Sequence, residues 1–222
     1  MRTVDKKSDA PPVISAKDVV MKMRFDYSRG LKDLTTKGLE ATCHLCWEFE
    51  RPNLDSEVFM KQIVDTILKL FGVESVGIGL RDPTDMLYKY RVIGGHDKEI
   101  EDGYKKLRYT KEQLLAPSTY PSYEISRHTR LFLAEDHPYA EDEEFTYRRP
   151  GLLGMKRRNI TDSLEADYLD ILFYDPAGEV LGFIEISGTR TRKLPDATTI
   201  KWIELLAGVL GIVIQKEQGG LS

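Results

Sequence analysis

Apolar residues recur at Val20, Met23, Tyr27, Leu31, Leu34, Leu45 and Phe49, with Gly38 and Thr42 in the intervening turns. That spacing is close to the helical period of about 3.6 residues, and Ser15 is placed to cap its start. The pattern predicts one amphipathic helix from about 15 to 50. Gly30 and Gly38 each weaken such a helix by about 1 kcal/mol relative to Ala, and they fit where a neighbouring helix comes close. Ahead of it, residues 1–14 are polar and end in Ala10-Pro11-Pro12, which reads as a disordered arm. Arg51-Pro52 ends the helix. Asp55 is the expected N-cap of a second one, which buries Val58, Ile63, Ile67, Leu68 and Phe71 and stops at Gly72.

Beyond Gly72 the period changes from helical to alternating. Val76, Ile78 and Leu80 share one strand face, while Ser75, Gly77 and Gly79 share the other. A turn at 82–85 leads to a partner strand from Met86 to Ile93. Pairing Arg81 with Met86 sets Tyr88 opposite Gly79 and Tyr90 opposite Gly77, so that aromatic rings stand beside two bare glycines. The same register puts Lys89 and Arg91 on the buried face, which marks this strand as a sheet edge. From Gly94 to Asp162 the chain is irregular, with short helices near 99–107 and 111–115 and short strands near 123–126 and 130–133.

The last third is regular again. Strands from Asp167 to Tyr174 and Val180 to Ser187 flank Asp175-Pro176-Ala177-Gly178, a turn with Pro second and Gly fourth. Pairing Tyr174 with Glu179 collects Leu169, Ile171, Phe173, Val180, Gly182, Ile184 and Ile186 on one apolar face. It leaves Tyr168, Asp170, Leu172, Leu181, Phe183 and Glu185 on the other. Pro195-Asp196 then opens a helix to about Gln218 that is apolar nearly all round, as expected of a helix buried on more than one side.

Composition narrows the class. With 222 residues the chain suits one domain plus an appended segment. Its 32 basic and 36 acidic residues give a net charge of −4, the wrong sign for capturing nucleic-acid phosphates or an anionic membrane. There are only two cysteines, no apolar leader follows Met1, and the run from Trp202 to Ile214 is shorter than a bilayer span and contains Glu204. A cytoplasmic protein is the expectation.

The segment from Asp167 to Ser187, with its Gly-containing turn, its Val180-Leu181-Gly182-Phe183-Ile184 strand and Leu194-Pro195-Asp196 at the head of a helix, resembles the last hairpin and closing helix of GAF domains. Taken with Phe59 to Leu80, the resemblance covers roughly residues 54–217. It implies an α+β fold: an antiparallel sheet with the terminal helices on one face and a ligand pocket under an irregular cross-over on the other. The implied organisation is an arm at 1–14, a dimerisation helix at 15–50 and a sensor domain at 54–218. GAF domains imply sensing of small molecules, haem, other tetrapyrroles or redox state, as dimers that signal through their terminal helices to a downstream partner.

On that fold the pocket residues are Gly77, Gly79, Tyr88, Tyr90, Tyr168, Asp170 and Glu185. Two buried carboxylates need a ligand donor, an Arg or water. The other candidate centre is Cys43-His44-Leu45-Cys46. Three apart on a helix, both thiols share a face, while His44 points about 100° away. One chain supplies two ligands of the four that zinc requires, so a metal or iron–sulfur cluster there needs two chains. The alternative function is therefore a metal- or redox-dependent regulator sensing through Cys43 and Cys46, and the third is a small redox enzyme. His96, His128 and His137 are scattered and read as loop residues. No phosphate-binding glycine loop, Ser/His/Asp set or HExxH occurs, so the enzyme reading has no motif to rest on.

Overall fold

The computed structural model describes residues 20–25, 33–49, 54–136 and 156–219. Residues 20–25 are helical and exposed. Then come α1 (Leu34–Phe49), α2 (Ser56–Leu70), β1 (Val73–Arg81), β2 (Tyr88–Gly94), α3 (Lys98–Tyr104) and α4 (Lys111–Leu115). β3 (Tyr123–Glu124), β4 (Thr129–Phe132), β5 (Tyr168–Tyr174), β6 (Val180–Thr189) and α5 (Ala197–Glu217) complete the chain. The expected arm at 1–14 lies outside the described residues. α1 starts afresh at Leu34, where the Asp33 side chain accepts from the Thr36 amide and hydroxyl; the connection at 26–32 is outside the described residues.

Local chemistry sets the helix ends. The Asp55 carboxylate accepts from the amides of Glu57 and Val58, and Asp196 accepts from Thr199, each satisfying donors that a helix start leaves open. α4 opens with a capping box between Thr110 and Gln113. α2 buries Phe59, Met60, Ile63, Val64 and Ile67, whereas Val58, expected inside, is exposed because it falls outside this stripe.

The six strands form one antiparallel sheet in the order β2-β1-β6-β5-β4-β3. β2 is an edge, as its charged residues foretold. α1, α2 and α5 cover one face, where Ile63 and Ile67 meet Ile78, Ile171, Ile184, Leu206 and Leu210 in a single core. The turn of α1 at Gly38 lies against the Trp202 indole, 2.9 Å from where a Cβ would stand. A side chain, rather than a helix backbone, explains that glycine.

Two registers differ from the expected ones. In the last hairpin Leu169 pairs with Ile186, Ile171 with Ile184 and Phe173 with Gly182, so the hairpin is shifted two residues from the Tyr174–Glu179 pairing and most side chains keep their faces. A bulge opens where Tyr174 pairs with Val180, leaving Leu181 as the extra residue. Val180 and Leu181 thereby exchange faces: Leu181 joins the helix-side core and Val180 packs with Tyr88 on the opposite side.

The first hairpin has a longer loop than expected. The amide of Leu87 bonds back to Asp85, that of Thr84 to Asp82, and Lys89 is paired with both aspartates. Arg81 therefore pairs with Tyr88, and Gly79 with Tyr90. A bulge at Arg91 then turns that side chain to solvent and lets Val92 enter the helix-side core.

α5 is long and apolar enough to cross a membrane by length and composition, but Ile203, Leu206, Leu210 and Ile214 are buried against the domain itself. Its outer edge is less complete. An open groove of about 480 Å³ runs between α5 and the end of β5, walled by Leu172, Phe173, Leu205, Val209 and Ile212. Gly208 borders it with nothing within 4 Å of its missing side chain. Since helix-interior Gly is about 1 kcal/mol worse than Ala, Gly208→Ala is expected to stabilise the domain by about that amount, read as a higher thermal midpoint.

Candidate functional site

The sheet face away from the helices carries a second cluster of Tyr88, Tyr90, Tyr104, Leu114, Leu172, Val180 and Phe183. Its arrangement follows from the strand registers. Gly77 pairs with Glu185, Glu185 with Asp170 and Asp170 with Arg130 across four adjacent strands, so these positions form one transverse row. Two carboxylates thus stand side by side in the middle of the sheet.

Tyr90 reaches this row from the edge strand. Its ring lies over Gly77, 2.8 Å from where a Cβ would be, and its hydroxyl donates to Glu185 Oε2 at 2.5 Å. Gly77 is therefore bare because Tyr90 occupies its side-chain space. Gly79 is covered differently from the expectation: the Phe183 ring, not Tyr88, takes its place at 2.3 Å. Tyr90 is further boxed by Tyr104, Phe183 and Tyr109 in edge-to-face contacts at 5.0, 5.3 and 6.3 Å. Burial, followed by the neighbouring Glu185 charge, pushes its phenol well above the usual tyrosine range, so it stays a hydrogen-bond donor.

Asp170 is 4% exposed and its Oδ1 has no hydrogen-bond partner. Burial, then the adjacent Glu185, pushes its carboxyl well above the usual aspartate value; Arg130 opposes this only in part. Arg130 turns its Nη1 to the Leu115 carbonyl at 2.6 Å and thus ties α4 to the sheet. Of the other candidates, Tyr168 stacks on Phe132 with ring centroids 4.3 Å apart, and the buried Tyr88 hydroxyl donates to the Val180 carbonyl at 2.9 Å. The structure thus gathers Gly77, Tyr90, Asp170 and Glu185 closely, puts Tyr168 next along β5, and gives Tyr88 and Gly79 packing partners of their own.

Sequence reasoning placed Phe183 on this face without counting it a pocket residue, and missed Arg130, Tyr104 and Tyr109. Phe183 was legible from its alternation with Glu185. The others lie on short or irregular elements whose position no periodicity reveals.

The described ends of the cross-over are fastened by a second polar centre. Asp167, its side chain 1% exposed, accepts from the amides of Ala134 and Leu164 and from Arg157, which also grips Glu135 through two bonds of 2.9 Å. Arg157 is the hub of this clasp, with its side chain only 16% exposed. Residues 137–155, expected to help cover the pocket, and His137 with them, lie outside the described residues.

Cys43 is half-buried and Cys46 exposed on α1. Burial, then Cys43, raises the Cys46 thiol above its ordinary value, which disfavours the thiolate a metal needs. His44 points toward Glu48 at 4.0 Å. Among the described residues no group of three or more His, Cys, Asp or Glu side chains is placed to hold a metal. His128 Nδ1 lies 3.2 Å from the Leu172 carbonyl, and His96 lies against Tyr104.

No family model matches the chain, and no characterised protein matches it by sequence. Solved structures do match in shape. The GAF domain of a phosphoenolpyruvate-protein phosphotransferase (ptsP) from Coxiella burnetii superposes with a TM-score of 0.54 at 17% identity, over 84% of this chain and 99% of that one. The GAF domain of the Acinetobacter phosphoenolpyruvate-protein phosphotransferase gives 0.53 at 12%, over 82% and 94%. The GAF domain of A. aeolicus Nlh2 in an inactive state gives 0.52 at 12%, over 83% and 99%. The chain has the GAF fold.

Proposed function

We propose that this chain is a sensory GAF-type module that binds a small molecule on the sheet face bearing Asp170 and Glu185 and passes the bound state to its terminal helices. The observation that carries this reading is Asp170 Oδ1. A buried polar atom without a partner costs about 1–3 kcal/mol, so a fold that keeps one needs a use for it. The sheet also links the site to the output. β5 and β6 present Asp170 and Glu185 on one face and Ile171, Ile184 and Ile186 on the other, in the core that seats α5. Neighbours in shape include the GAF domains of two phosphoenolpyruvate-protein phosphotransferases and a GAF domain/HD domain protein from Geobacter sulfurreducens, which agrees with a regulatory role.

The same reading makes the protein a homodimer. Leu39 and Trp47 on α1 and Leu205 and Ile212 on α5 are exposed apolar side chains on the helix layer. In sedimentation the wild type is expected to be dimeric and Leu39→Glu with Ile212→Glu monomeric; a monomeric wild type at micromolar concentration contradicts the dimer. For the ligand, thermal denaturation is run against a metabolite collection spanning cationic, anionic and neutral compounds. At least one should raise the midpoint with concentration, because a ligand that binds only the native state stabilises it by mass action. Failure of every compound contradicts the sensing role.

A further inference from the structure

The groove between α5 and the end of β5 is a second place where a small molecule fits, separate from the sheet face of Asp170 and independent of its reading. Its volume of about 480 Å³ lies within the range of small-molecule sites, about 300–1,000 Å³. On the α5 side, Leu205 and Ile212 are apolar and about half exposed, and Gly208 between them has nothing within 4 Å of its missing side chain. Gly208 lies three residues after one and four before the other, so the three share a stripe of the helix with a recess at its middle. Alanine would fit there and would favour the helix. Glycine keeps the recess open at a cost in stability.

The polar groups of the groove leave one charge unused. Arg127, His128 and Tyr174 border it opposite α5, and Glu204 borders it on α5. Glu204 is saturated: one oxygen accepts from the Ser126 and Thr129 hydroxyls and the other from Lys201. His128 Nδ1 lies against the Leu172 carbonyl, and the Tyr174 hydroxyl donates to the Arg127 carbonyl. Burial raises the Tyr174 phenol, and Arg130 and then Arg127 act against that rise, so the Arg127 charge is within electrostatic reach of this ring. Arg130 is turned to the Leu115 carbonyl, whereas the exposed Arg127 guanidinium has no hydrogen bond or ion pair among the described residues. Glu124 carries the opposite charge nearby but does not border the groove. A single unpaired guanidinium beside an apolar trough suits a single carboxylate, whose two oxygens match its planar fork.

We propose that this groove binds a monocarboxylate with a medium-length alkyl chain, its carboxylate at Arg127 and its chain in the recess at Gly208 between Leu205 and Ile212. From 205 to 212 the helix rises about 10 Å, the reach of an eight-carbon chain.

The test uses the full chain with octanoate as the probe and octylammonium and acetate as controls, titrated by isothermal calorimetry. Octanoate is expected to bind saturably at one site per chain. Octylammonium, with the same chain and the opposite charge, should bind at least about tenfold more weakly, and so should acetate, with the charge and no chain. Arg127→Gln removes the charge and Gly208→Leu fills the recess; each should weaken octanoate by about tenfold or more. Lys61→Ala, on an exposed ion pair of α2, should not change it. Arg127 is exposed, so Arg127→Gln decides alone if Gly208→Leu fails to fold. Leu205 and Ile212 also belong to the face assigned above to the dimer, and substituting the recess instead of those two keeps binding apart from association. The proposal is overturned if octanoate does not bind, if octylammonium or acetate binds as well as octanoate, or if either folded variant binds like wild type. An affinity altered by Asp170→Asn but not by Arg127→Gln would place the acid on the opposite sheet face and overturn it too.

Discussion

Asp167→Ala is expected to destabilise the domain by about 3 kcal/mol, more than any other single side-chain truncation considered above. The carboxylate is buried and accepts from two backbone amides, those of the half-buried Ala134 and Leu164. Each buried donor left unsatisfied costs about 1–3 kcal/mol, and one charge-assisted bond to Arg157 is lost as well. The cost stays below the upper end for a broken buried ion pair because Glu135 still grips the guanidinium through two bonds. Urea unfolding should show a lower midpoint with an unchanged slope, since the unfolded chain exposes the same surface. A loss below about 1 kcal/mol would mean that the clasp does not form in solution.

Gly182→Ala is the second large effect. Gly182 sits in β6 at the centre of the sheet, and a Cβ there would lie 2.3 Å from the Gly79 carbonyl oxygen, with the Phe173 ring and a Leu80 methyl also closer than 3 Å. The nearest atom is backbone fixed in the adjacent strand, so it does not swing aside as a flexible side chain would. Overpacking of this kind costs about 1–3 kcal/mol, and a backbone collision puts it at or beyond the upper end, about 3 kcal/mol. Gly211→Ala is the matched control: its Cβ would find Phe173 at an ordinary 3.6 Å, so stability should be unchanged or slightly higher. Equal melting of the two variants would contradict the close approach of β1 and β6.

The layered architecture was legible because its long elements carry strong periodicity. The alternation of Leu169, Ile171 and Phe173 against Asp170 and Leu172 fixed which face meets the helices, even though the pairing itself was off by two residues. Faces survive such an error because a strand's side chains repeat every second residue. Bulges do not survive it. At Leu181 and Arg91 one extra residue reverses the alternation, and nothing in the local pattern distinguishes the bulged from the regular reading until a partner strand is present.

The first hairpin shows a different limit. Its loop length is set by side chains of Asp82 and Asp85 bonding to nearby amides, and such local bonds compete with simple strand pairing. The two carboxylates of the site were legible as polar residues on an apolar hairpin. Arg130 and the tyrosines of the cross-over were not, because they come from short elements held by tertiary contacts. Arg157 shows the same limit in reverse: its charge is obvious in the sequence, but its role depends on Asp167 and Glu135, at distances no helical or strand period connects.

The central claim is that Asp170 is kept for binding at the expense of stability, and Asp170→Asn tests it in a single comparison. Because the folded-state value is raised above the unfolded 3.8, the native protein holds a proton that the unfolded chain gives up. The stabilising contribution is present below the unfolded value and is lost as pH rises through the folded one. Asparagine removes that loss. Among the described residues, Glu185, Arg130 and Tyr90, the titratable groups that interact with Asp170, are unaltered by the substitution. Urea denaturation of both proteins, without ligand, across mildly acidic to neutral pH is the measurement. The account predicts that Asp170→Asn is the more stable at neutral pH, by about 1–3 kcal/mol, with an advantage that shrinks as pH falls. An asparagine variant less stable than wild type at neutral pH would contradict it, for Asp170 would then be a satisfied structural carboxylate.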